Sequence, residues 1–208
     1  MVVDKVRIKG MKLKRGTGLV VVAHPDDETI WMGGTILMNP QVRWTILSLC
    51  RKNDTDRRPR FFQACVRYKA QGKMGDLEDE GKLNIQKSIP IAAKLIKKLL
   101  SPKLSFDYLF THAANGEYGH PRHKGTHRAV KYLLDHNALR ARERFQFSYK
   151  LDTIKSIGVP RTHASIRNLL PEKIFQKKRS MIRDIYGFSA TAFETLSAGR
   201  VETFDSFT

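Results

Sequence analysis

The chain has 208 residues, 41% of them hydrophobic and 28% charged, with a formal net charge of +18 and two cysteines. That length supports one domain with a sizeable core, expected over residues 1–208, and excludes two large ones. No run of about 18 apolar residues is present, which excludes a membrane-spanning helix, and the basic stretch 1–16 lacks the apolar centre and cleavage site of a secretory signal.

Gly18 to Ala23 is a β-branched run that reads as a buried strand, and it ends in the polar burst His24-Pro25-Asp26-Asp27-Glu28. Thr29 to Met38 reads as a helix in which Gly33 and Gly34 allow close packing. Val42 to Cys50 is a second strand. Arg57 to Gln71 reads as a helix stopped by Gly72. Ser88 to Leu100 is a helix with Ile91, Leu95, Ile96, Leu99 and Leu100 at helical spacing and lysines mostly opposite. Phe106 to Phe110 is a third strand, followed by a polar loop, His112 to His123, and a helix over Lys124 to Asn137. Strands near Phe145 to Tyr149 and Ala164 to Asn168 and a helix from Pro171 to Tyr186 complete the chain. Strand and helix alternate over the first two thirds, which predicts an α/β fold with a mostly parallel sheet covered by helices on both faces. In such sheets ligands gather at the carboxyl ends of strands. Both histidine-rich segments follow a strand, so they fall at the same edge.

Cys50 and Cys65 suit reduced thiols, and a cytoplasmic location is expected. The charge of +18 favours anionic partners or serves solubility. Its clusters, Lys5 to Arg15, Arg51 to Arg60, Lys94 to Lys103 and Lys173 to Arg183, are spread along the chain rather than gathered in one tail.

In His24-Pro25-Asp26-Asp27-Glu28, adjacent carboxylates beside a histidine repel one another, and a divalent metal is the simplest relief. His24 and Asp27, three apart in a turn, can face one point, with Asp26 beside it. In the second segment, His120-Pro121-Arg122-His123, His123 can supply a third ligand. Two histidines and one carboxylate leave a position open for water, the pattern of a catalytic rather than a structural zinc site. Taken singly each segment has a plainer reading, a helix N-cap for the acidic pair and a surface loop for the histidines. Their joint occurrence after two strands of one sheet favours the metal.

Ala23-His24-Pro25-Asp26-Asp27-Glu28 resembles the signature of the LmbE/PIG-L-type N-deacetylases, and Gly116-Glu117-Tyr118-Gly119-His120-Pro121-Arg122-His123 resembles that family's second motif, about a hundred residues on. Arg60 and Gln63 are similar to the family's Arg-x-x-Glu helix, and Glu202-Thr203-Phe204 to its closing Glu-x-Phe. The resemblance runs in order over nearly the whole chain. It implies a Rossmann-like three-layer sandwich with zinc (Zn2+) at the strand tips. His24, Asp27 and His123 would be the metal ligands, Asp26 the general base and His120 the histidine that stabilises the tetrahedral intermediate, with Arg60 contacting substrate. The implied reaction removes an N-acetyl group from an N-acetylglucosamine-type substrate, and family members are often trimers or hexamers. One position departs: the family has Asp where this chain has Arg122, which either weakens acid catalysis by His120 or binds an anionic substrate.

Two rival readings are a zinc amidohydrolase for another, anionic acylamide and a basic nucleic-acid-binding module with a degenerate site. No nucleic-acid-binding signature supports the latter. No G-x-G-x-x-G follows the first strand, which excludes a dinucleotide site.

Overall fold

The structure is a computed structural model and describes residues 10–207. The first part of the basic cluster Lys5 to Arg15 lies outside the described residues. In chain order the elements are β1 (Gly16–Val22), α1 (Asp27–Met38), β2 (Val42–Ser48), α2 (Arg57–Tyr68), β3 (Gln71–Met74), α3 (Ile85–Leu100), β4 (Ser105–Thr111), α4 (Pro121–Asp135), β5 (Arg140–Phe147), β6 (Tyr149–Asp152), β7 (Ile157–Pro160), β8 (Ile166–Leu169), α5 (Glu172–Ser180), α6 (Phe193–Ser197) and β9 (Val201–Ser206). A π-helical turn, Met181–Ile185, extends α5.

Seven strands form one sheet in the order β3-β2-β1-β4-β5-β9-β8. The first five are parallel, with Leu19 of β1 opposite Thr45 of β2 and Leu109 of β4. β9 runs antiparallel to both β5 and β8. The fully buried run of β1 serves two cores by simple alternation. Leu19 and Val21 face Ala92, Ile96, Val130 and Leu133 of α3 and α4. Val20 and Val22 face Trp31, Phe61, Phe110 and Ile182 on the other side. This is the expected α/β architecture, a mostly parallel sheet with helices on both faces.

The direction in which successive strands are added reverses between β1 and β4, because β2 lies on one side of β1 and β4 on the other. That point opens a crevice at the carboxyl ends of the strands. The segments after β1, β2, β3 and β4 all meet there.

Several elements differ from expectation. β3 was not anticipated, since Gln71-Gly72-Lys73-Met74 has no apolar alternation and pairs at the sheet edge. The hairpin β6–β7 and the strand β9 were also missed. β5 begins at Arg140, because its exposed arginines conceal a strand whose inward residues are Ala141, Phe145 and Phe147. α4 begins at Pro121, three residues before the expected start, which places His123 in the first helical turn instead of a loop. Proline suits that first turn, where its missing N–H has no partner to lose.

Candidate metal centre and active site

β1 delivers His24 and Pro25 into a sharp turn. Asp26 takes a left-handed φ of 136°, and its carbonyl accepts the N–H groups of Thr29 and Ile30 that open α1. A non-glycine residue held there costs on the order of 1–3 kcal/mol, and such strain gathers at functional sites. The Asp26 side chain makes no cap hydrogen bond. It accepts from Arg57 Nη1 at 3.0 Å instead. The Asp27 carboxylate folds back to accept from the His24 N–H at 2.8 Å and from Trp31 Nε1 at 3.0 Å. The simple N-cap reading therefore fails for both side chains. Glu28, fully buried, accepts from Tyr186 Oη at 2.6 Å and from the Asp26 N–H at 3.1 Å, which anchors the turn.

β4 brings the second half. His112 at its end and His123 on α4 stack with ring centroids 3.9 Å apart. Glu117, fully enclosed, sits 2.7 Å from His112 Nδ1 and 2.6 Å from His123 Nδ1. With Nδ1 of His123 donating to Glu117, its Nε2 carries a lone pair. That nitrogen lies 3.3 Å from His24 Nδ1 and 3.4 Å from Asp27 Oδ1, while His24 Nδ1 lies 3.3 Å from Asp27 Oδ2. The other nitrogen of His24 bonds Asp79 at 2.9 Å. Both histidines thus have their outer nitrogens tied to carboxylates and their inner nitrogens facing one another and Asp27. Carboxylate-fixed tautomers of this kind are the usual support of metal-binding imidazoles. Two imidazole nitrogens and a carboxylate, all acceptors when unprotonated, crowd within 3.4 Å, and a divalent cation satisfies such a set. The residues fit a metal.

The ionisation pattern follows from these contacts. Burial opposes charge on Glu117, but His112 and His123 outweigh it and hold the carboxyl down to about 2. Burial likewise opposes charge on Asp27, and the same two histidines hold it well below the usual range. His24 is raised to about 9 against its burial by hydrogen bonds to Asp27 and Asp79. His120 is lowered to about 4 by burial and by the neighbouring His123 and His24. Asp26 is pushed up, first by burial and then by the charge of Asp27.

A cleft of about 210 Å³ opens over these groups, with Trp31, Tyr118 and Phe193 as aromatic lining and Asp26, Arg57 and His120 among its polar groups. The structure gathers His24, Asp26, Asp27 and His120 around this cleft, and His123 lies fully buried behind it. Two expected residues lie elsewhere. Arg60 bonds Asp56 at 2.7 Å and the Ile185 carbonyl at 3.0 Å; Arg57, one turn earlier, faces the cleft. Arg122 is buried against Glu78, at 2.6 Å, and the Leu83 carbonyl. Sequence reasoning assigned no role to Glu117, His112, Asp79 or Arg57. Glu117 lay within the second motif and His112 at a strand end, so position alone could have raised both.

A mostly parallel sheet of this order is shared with solved deacetylases and a hydratase, and it is the fold that the LmbE/PIG-L resemblance implied. Solved structures sharing it include the zinc-inhibited form of teicoplanin deacetylase Orf2, with a TM-score of 0.65 and 12% identity over 91% of this chain and 97% of that one. GalB, the 4-carboxy-2-hydroxymuconate hydratase from Pseudomonas putida KT2440, superposes with a TM-score of 0.65 and 14% identity, covering 92% of this chain and 96% of that one. The A40926 pseudoaglycone deacetylase Dbv21 gives 0.63 and 14%, covering 83% and 82%. At these identities the likeness is one of fold. A curated relative, uncharacterized protein L374 of Acanthamoeba polyphaga mimivirus, is 28% identical over 133 residues, covering 56% of this chain and 57% of that protein. The match thus spans little more than half the length of that relative. No family model matches the chain. No helix among the described residues is long and apolar enough to cross a membrane.

Proposed function

We propose that the chain is a metal-dependent hydrolase that removes an N-acetyl group from an amino-sugar-like small molecule, with His24, Asp27 and His123 as metal ligands. The observation that carries this reading is the convergence of those three side chains within 3.4 Å, each held by a further side chain: Asp79 for His24, Trp31 for Asp27 and Glu117 for His123. A divalent cation in that position supplies Lewis acidity, polarising an acyl carbonyl and easing the loss of a proton from water. Zinc is the ion proposed, since hydrolases hold it with two histidines and one carboxylate; the same ligand types also accept iron or manganese.

Asp26 is the general base of this scheme. It borders the cleft, and burial beside Asp27 raises its affinity for the proton it would take. His120 accepts the Arg122 N–H at Nδ1, which leaves its proton on Nε2. Its lowered pKa keeps the ring neutral, suited to donating a hydrogen bond to a developing oxyanion. Arg57, paired with Asp26, is the substrate-contacting arginine favoured by position over Arg60. Tyr118 and Phe193, half-buried at the cleft, offer apolar surface for a sugar ring. The cleft is open to solvent on one side, so it can take an acyl group and part of the ring that bears it while the rest of a conjugate stays outside.

A second reading, an anionic acylamide as substrate, is favoured by Arg51 and Arg57, which both line the cleft. The same assay separates the two.

The test is metal content of the intact chain beside His24→Ala and His123→Ala, with acetate release measured on neutral and phosphorylated N-acetyl sugars. About one ion per chain, lost in both variants together with acetate release, is expected. Metal retained in both variants would sink the ligand assignment. Metal bound without acetate release from any N-acetyl sugar would overturn the deacetylase reading and leave the metal site.

A further inference from the structure

Asp79 lies on the 75–83 segment after β3, which carries no regular structure over most of its length. Its side chain is 10% exposed. Oδ1 meets His24 Nε2 at 2.9 Å, and Oδ2 accepts Arg51 Nε at 3.1 Å and Nη2 at 2.9 Å. The neighbouring residue, Glu78, bonds Arg122 Nη2 at 2.6 Å, and the same guanidinium reaches the Leu83 carbonyl. Arg122 is 3% exposed and stands on the first turn of α4, next to His123. Two arginines therefore fasten one short segment to two different parts of the sheet edge, and the carboxylate between them points at His24.

The group His24, Cys50 and Asp79 could be taken for a second cation site, since its ligand atoms lie within 4.8 Å of one another. The charges of Arg51 and Arg122 act on Cys50, and Arg51 pairs directly with Asp79. Two fixed guanidiniums oppose a cation there, and the arrangement suits a carboxylate that orients an imidazole.

We infer that Asp79 is a positioning residue for His24, and that Arg122, together with Arg51, holds the 75–83 segment so that Asp79 can fill that role. Asp79 takes the Nε2 proton of His24 as a hydrogen bond, which leaves the Nδ1 lone pair aimed at Asp27 and His123. The substitution at position 122 thereby acquires a function: it ties α4 to a segment that carries part of the metal site. This rests on the reading of His24, Asp27 and His123 as metal ligands. Carboxylates behind metal-bound histidines typically change metal affinity 10–100-fold when removed.

The experiment is zinc affinity by chelator competition for the full chain and for Asp79→Asn, Asp79→Glu and Arg122→Gln, with Asp107→Asn as a control at the opposite sheet edge. Folding is checked by circular dichroism. Asp79→Asn should weaken zinc roughly 10–100-fold, Asp79→Glu should recover part, Arg122→Gln should fall between, and the control should match the parent. Nitrogen-15 spectra of the zinc-loaded parent should show His24 protonated at Nε2, a readout that needs no variant to fold. Unchanged affinity in a folded Asp79→Asn protein overturns the inference and leaves the metal site standing, whereas a His24 proton on Nδ1 overturns the inference and also removes His24 Nδ1 from the ligand set. A parent that binds no zinc overturns both.

Discussion

At the residue scale the candidate site is two histidines placed back to back against carboxylates. Glu117 serves one side, accepting from Nδ1 of both His112 and His123 with one oxygen and from the Ala113 N–H with the other. An amide in its place carries no charge, and if its one acceptor oxygen takes both rings its NH2 is left facing the Ala113 N–H, donor against donor. Glu117→Gln is expected to weaken metal binding about 10–100-fold. The measurement is chelator competition, and parent-like affinity in a folded variant would remove Glu117 from the metal's support. The sequence disclosed the residues of the first motif because four polar side chains and a proline directly after a β-branched run have no packing rationale. It did not disclose Glu117, whose partners are set by a turn with left-handed backbone at Gly116, Glu117 and Gly119. Asp79 was beyond reach for a different reason: its link to His24 spans 55 positions and comes from a charged, glycine-bearing segment with no periodicity.

At the element scale the informative feature is a break in α1. The backbone leaves helical geometry at Met32, with φ −148° and ψ 15°, which frees the N–H groups of Gly34 and Thr35. Glu202 of β9 accepts both, at 2.8 and 2.7 Å, and also bonds Thr35 Oγ1 and Lys178 Nζ. A residue about 170 positions away thus does for the second half of α1 what an N-cap side chain does locally. Gly34 is required at this crossing, since a Cβ there would meet Leu170 at 2.2 Å. The Lys178–Glu202 pair is fully buried, so removing one partner strands the other charge. Glu202→Ala is expected to destabilise the fold by about 3–5 kcal/mol in urea denaturation, and Glu202→Ala with Lys178→Met to recover much of it. A loss below about 1 kcal/mol would show that the pair and the cap contribute little. Here the resemblance flagged Glu202 while local pattern could not. A carboxylate in Val201-Glu202-Thr203-Phe204 reads as a surface group, so β9 itself went unrecognised although Phe204 is fully buried. The buried parallel strands, by contrast, were legible because alternating residues of β1 and β4 are apolar on both faces.

At the scale of the whole molecule, the charge of +18 needs to be set against the cleft. The cleft does not share that excess: Arg51 and Arg57 are outnumbered there by Asp26, Asp27, Asp79 and Glu194. The excess lies outside it, on exposed positions such as Lys94, Lys97 and Lys98 of α3 and Lys173 and Lys177 of α5. Distributed charge of that kind acts on encounter rather than on the bound complex, and it is screened once the Debye length falls below the distances involved. If the acyl compound is anionic, kcat/KM should fall about tenfold or more between roughly 0.01 M and 1 M salt, while kcat stays nearly constant. A neutral N-acetyl sugar should show a flat kcat/KM over the same range. The comparison of a phosphorylated with a neutral N-acetyl sugar across that salt series decides between steering and solubility. A parallel response of the two would mean that the charge plays no part in choosing substrate, and a falling kcat would locate the salt effect in the site itself.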